Sequence, residues 1–212
     1  MFVTIALLVI FVACVAVTYT EGLWSNAIRL VNVLIAALLA TNFFEPVARF
    51  LEGFMPDYKY YWDFPALWVL FAVFMMLMQT ATNQVSQVKV RFLKVADQVG
   101  GGVFAVLTGW VVVCFTLMTF HAAPLAKNFL VESFQPRQQM FFGLAPDRKW
   151  IAFTRAMSRG PLARSATAEE QANHANIFDP DRQFVYRYEQ RRTEVEKERV
   201  ASNASPTGTP AK

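Results

Sequence analysis

Histidine and cysteine are nearly absent: His121, His174, Cys14 and Cys114 are the only residues of either type among 212. Two isolated thiols make neither a disulfide framework nor a metal site. Both lie inside apolar runs, where cysteine acts as a small, polarizable packing residue. Neither histidine has a serine, cysteine or acidic cluster at catalytic or metal-ligand spacing. Nothing resembles a nucleophile elbow, a zinc motif or a dinucleotide fingerprint. The expectation is a non-enzymatic protein with no catalytic residues, no metal and no cofactor. Charge is scarce in the first half. Met1–Thr20 carries none, and before residue 121 Arg29, Arg49, Lys59, Lys89, Arg91 and Lys94 balance Glu21, Glu45, Glu52, Asp57, Asp63 and Asp97.

Between those charges run four long apolar stretches, about Met1–Tyr19, Leu30–Phe44, Phe64–Met78 and Val99–Phe120. A soluble helix keeps a polar face, which Met1–Thr20 lacks. A spanning helix needs roughly 20 apolar residues. The sequence therefore predicts an all-α integral membrane protein, with a bundle of four transmembrane helices in residues 1–125 and spans of about 1–20, 26–44, 64–81 and 99–120. The first is expected to be retained, because no basic segment precedes it and Val15–Val17 stay apolar beyond Cys14. The second is the shortest, with Arg29 snorkelling to the interface; a re-entrant segment is its alternative. Val47, Phe50, Leu51 and Phe54 recur at helical spacing and suggest a short interfacial helix ended by Gly53 and Pro56. Tyr19, Trp24, Tyr60, Tyr61 and Trp62 are expected at the headgroup level, where a ring can be apolar on its face and hydrogen-bonded at its edge.

The net charge of +4 lies wholly in the tail. Residues 126–201 read as an amphipathic, partly helical basic tail, with helices expected over Asp147–Ser158 and Phe184–Ala201. Phe129, Phe134, Met140, Phe141, Phe142, Trp150 and Phe153 are too apolar for a free linker and should rest on the membrane or on the bundle. Residues 202–212, rich in Ser, Thr, Gly and Pro, are expected to be disordered.

The most specific local pattern opens the fourth run. Gly101, Ala105 and Gly109 are four apart and share a helix face, and small residues at that spacing let a second helix approach closely in lipid. Ala36 and Ala40 offer a complementary strip. Asp97 sits where a carboxylate favours the start of helix four. No strand precedes the glycines, so a phosphate loop is a poor reading. An ion or proton role for Asp97 would need a second acid within the spans.

An aspartate, a glycine four on, Phe-small, then a glycine, opening the fourth apolar helix, resembles the colicin V production protein family. Asp97, Gly101, Phe104, Ala105 and Gly109 match position by position, and Gly22 in Glu21-Gly22-Leu23-Trp24 resembles the family's turn after helix one. Where this chain has Gln98 and Thr108, family members often carry arginine. The resemblance covers roughly residues 1–125. It implies a multi-pass bacterial inner-membrane protein linked to colicin V production or export and to envelope homeostasis.

Function then divides between an accessory or scaffold protein and an oligomeric channel or transporter subunit, lined for example by Asn32, Asn42, Thr108 and Thr116. Expected partners are the lipid bilayer, another copy or other membrane proteins, and anionic lipid beneath the tail. No basic-aromatic pattern points to nucleic acid. Positive charges near the spans are evenly split between the two sides, and a cytoplasmic tail is the expected arrangement.

Overall fold

A computed structural model of the chain describes residues 2–55, 61–85, 93–123, 140–164, 167, 174 and 176–204. Among these the chain is helical, with no strand. Helix α1 covers Phe2–Thr18 and closes in a 3-10 turn, Tyr19–Glu21. Helix α2 is Leu23–Phe54, α3 Asp63–Val85 and α4 Lys94–Ala122; beyond them come α5, Pro146–Ser158, and α6, Phe184–Ala204. The first four are long and apolar enough to cross a membrane. The protein is an all-α, four-span membrane protein.

Burial sorts these four helices into two pairs. Half of the apolar windows of α2 and α4 is buried, against 17% for α1 and 11% for α3. The central pair is α2 with α4; α1 lies along α4, and α3 along α2. The sequence explains the division. Ala36, Ala37 and Ala40 keep α2 narrow where neighbours approach, and all three are fully buried. Helix α1 instead turns Ile5, Val9 and Val12 outwards, towards the acyl chains a spanning helix meets.

Helix α2 differs from the expected short span. Its 32 residues measure about 48 Å, well beyond a hydrocarbon core of about 30 Å. It is no re-entrant segment, and residues 47–54 continue it rather than forming a separate interfacial helix. Pro46 lies inside it, where its nitrogen has no hydrogen to donate to the preceding turn. The polar residues that made the span look weak have partners. Asn32 donates to the Thr82 hydroxyl of α3 at 2.9 Å, and Asn42 donates to the Leu162 carbonyl at 2.8 Å. Cys14 and Cys114 are free thiols.

The tail beyond residue 140 packs on the bundle. One hydrophobic core joins Ala37, Ala40 and Phe44 of α2, Leu67 of α3 and Phe115 and Met118 of α4 to Trp150, Ile151, Phe178, Phe184 and Tyr188. Phe44 meets Phe178 and Phe184 edge to face, with ring centroids 6.4 and 6.3 Å apart. The Trp150 indole donates to the Thr41 hydroxyl at 3.1 Å. Helix α6 reaches Ala204, so residues 202–204, expected to be disordered, form its last turn. Residues 205–212 lie outside the described residues, as do Tyr60, Phe129 and Phe134.

Candidate functional site

Of the sequence-predicted motif residues, Gly22, Asp97 and Gly101 come together where α1 turns into α2. Gly22 makes that turn at φ +81° and ψ 171°, a region essentially restricted to glycine. No local side chain caps α2. Instead the Asp97 carboxylate, inside the first turn of α4, accepts the Leu23 N–H at 2.8 Å. Asp97 was expected to serve the start of its own helix. Its own N–H already bonds the Leu93 carbonyl, and its side chain caps α2 from 74 residues away. A carboxylate there satisfies an orphan N–H and meets the positive end of the helix.

The glycines of α4 make this approach possible. A Cβ on Gly101 would stand 3.0 Å from the Gly22 carbonyl carbon and 3.2 Å from the Leu23 nitrogen, both backbone atoms. At Gly102 it would meet the Tyr19 ring at 3.1 Å, and at Gly109 the Phe11 ring at 3.1 Å. Ala105 is fully buried between them, while Phe104 is half-buried. The small-residue face thus receives α1 and the turn. Ala36 and Ala40 do not supply those nearest neighbours, and Ala40 packs in the core with Phe115 and Met118.

Asn26, which sequence reasoning passed over, locks the arrangement. Fully buried, it donates to the Thr18 carbonyl at 2.8 Å and the Gly101 carbonyl at 3.2 Å, tying α1, α2 and α4 together. An amide one turn into an apolar helix was the available signal. Tyr19 and Trp24 are partly exposed at this end; Tyr61 and Trp62 lie at the start of α3, at the opposite end.

That opposite end holds a second polar cluster, formed with the tail. His121, at the end of α4, bonds Asp147 of α5 through Nε2 at 2.8 Å, both side chains being fully buried. Arg192 of α6 donates to the His121 carbonyl at 3.1 Å. Arg191 pairs with Asp63, which also accepts the Tyr188 hydroxyl. Burial, with the Asp63 carboxylate alongside, raises the Tyr188 phenol well above its usual range, and burial pushes the Arg192 guanidinium down to about 10. A void of about 10 Å³ lies among Asp63, His121, Tyr188, Arg191 and Arg192, room for about one water. Among the described residues no three His, Cys, Asp or Glu side chains gather as metal ligands. The sequence offered little sign of this cluster, because its partners lie far apart in the chain. The one local sign was the spacing of Arg187, Arg191 and Arg192 on a single helix.

A protein-family model described as Colicin V production protein matches residues 3–137. The chain belongs to the colicin V production protein family. No curated protein and no solved structure matches it. The family match contains the whole Gly22–Asn26–Asp97–Gly101 junction. It stops before α5, so the second cluster joins family residues, Asp63 and His121, to a segment beyond the match. In this colicin V production family member the junction lies within the matched region, and α5 and α6 lie beyond it.

Proposed function

We propose that this family member is a non-enzymatic accessory scaffold of the bacterial inner membrane, with a role in toxin production or export and envelope homeostasis. One observation carries the reading. Each asparagine of α2 makes a bond within the chain: Asn26 to the α1–α4 junction, Asn32 to Thr82 and Asn42 to Leu162. Thr108 likewise bonds the Phe104 carbonyl of its own helix. These four side chains are engaged within the chain, which suits a body that holds its shape and offers surfaces to others. The tail, fixed to the bundle through Phe44 and the Asp63–Arg191 pair, would then present α6 to a partner.

The test is deletion of residues 138–212, with membrane insertion and envelope-stress sensitivity both measured. The shortened chain should insert but fail to restore resistance. Full complementation would refute recruitment by the tail. An oligomeric channel is the second reading, favoured by a cleft of 280 Å³ between α2 and α3 lined by Glu21, Arg29, Asn32, Gln79, Thr82 and Asn83. Ion flux through purified protein in liposomes would establish it over the scaffold.

A further inference from the structure

The turn Met140–Ala145, just beyond the family match, holds the densest run of left-handed backbone among the described residues. Phe141, Phe142 and Ala145 have φ of 57°, 56° and 45°, and Gly143 has 78°. Left-handed backbone is unfavourable for a residue with a Cβ and persists where surroundings hold it. Phe141 is held. It is 7% exposed, shares a core with Val3 and Leu7 of α1 and Val113 and Leu117 of α4, and its ring centroid is 6.0 Å from that of Trp110. Phe142, next in the chain, is 73% exposed, and Leu144 is 43% exposed.

Depth decides what covers them. Helices α1 and α4 run antiparallel in a fixed register, with Tyr19 against Gly102 and Phe11 against Gly109. Trp110 lies about 18 Å of helix before Ala122. The apolar run of α4 continues to Phe120, so the contacts of Phe141 lie below the level at which α4 leaves the hydrocarbon. The turn packs through Phe141 on Val3 and Leu7 of α1, whose Phe2, Ile5 and Val9 are exposed. Its backbone is partly closed on itself, the Leu144 and Ala145 N–H groups donating to the Phe141 and Met140 carbonyls at 3.1 and 3.2 Å. Internal closure of this kind is what backbone at the edge of a bilayer requires.

We infer that Met140–Ala145 is an interfacial hook inserted in the leaflet at the N-terminal end of α1, with Phe142 and Leu144 among the acyl chains. Elements of this kind bury apolar side chains roughly 5–10 Å below the headgroup boundary. The hook adds the bilayer itself to the partners of the tail, beside the four helices of the bundle. It holds whether or not the protein is a scaffold.

Spin labelling tests it directly. A label at Phe142→Cys, in a Cys14→Ala/Cys114→Ala chain, is placed in phosphatidylethanolamine–phosphatidylglycerol vesicles. Its collision rates with oxygen, which partitions into acyl chains, and with a water-soluble nickel chelate are then measured. The expected ratio favours oxygen, as for a label at Val9→Cys on the outer face of α1. A ratio favouring nickel, as for a label at Val200→Cys on α6, would overturn the inference. Leu144→Cys provides an independent second reading with the same two outcomes.

Discussion

Replacing Asp97 by alanine should destabilise the membrane domain through α2, although Asp97 belongs to α4. The substitution removes the acceptor of the Leu23 N–H and the charge facing the α2 N-terminus. Loss of a capping side chain costs about 0.5–2 kcal/mol and loss of a charge at a helix end about 0.3–1 kcal/mol, so about 2 kcal/mol is expected. Asp97→Asn keeps an acceptor and should cost about half as much. Gly22→Ala should cost about 3 kcal/mol, from a glycine-only backbone and from a Cβ that would stand 2.9 Å from Asp97 Oδ2. The two losses overlap, because without the carboxylate only the backbone penalty remains. The double variant should therefore fall short of the sum by about 1 kcal/mol, the signature of residues in contact. Reversible unfolding in mixed micelles, followed by helical circular dichroism, measures all four chains. A cost below about 0.3 kcal/mol for Asp97→Ala, or strict additivity, would refute the cross-helix cap.

Further substitutions probe the rest of the molecule. Gly101→Ala should cost about 1–3 kcal/mol in the same assay, because the atoms its Cβ would meet are backbone and cannot swing aside. Gly53→Ala, with nothing within 4 Å of its Cβ, should be neutral or stabilise α2 by up to about 1 kcal/mol. Asp147→Ala removes the carboxylate bonded to the buried His121 ring and should cost about 1–3 kcal/mol, seen as faster proteolysis within α5 and α6 while the bundle stays protected. Phe44→Ala should cost about 3–5 kcal/mol and expose the tail to protease in the same way.

What could be read in the sequence follows from where each signal resides. The four spans were legible because lipid demands an unbroken apolar surface, which Met1–Thr20 and Val99–Phe120 display residue by residue. The glycine spacing of α4 was legible for the same local reason. The target of Asp97 was not, because its acceptor bond goes to a backbone N–H, and every residue type except proline has one. Residues 47–54 were separated from α2 because the apolar run stops at Phe44 and Glu45, Arg49 and Glu52 follow; the helix continues through them. The docking of the tail was hidden for a different reason. Trp150, Phe178 and Phe184 are scattered among charges, and only the pairing of those charges with Asp63, His121 and Glu45 lets the segment fold back on the bundle.

The cap on α2 also sets an order of events during synthesis. Leu23 is made 74 residues before the carboxylate that satisfies it. At about 5–20 residues per second, the α1–α2 hairpin waits about 4–15 s with the start of its second helix open. Whatever insertion machinery or chaperone attends the nascent chain has that interval in which to act. The arrival of Asp97 and Gly101 closes it, so the fourth span completes the first turn of the second.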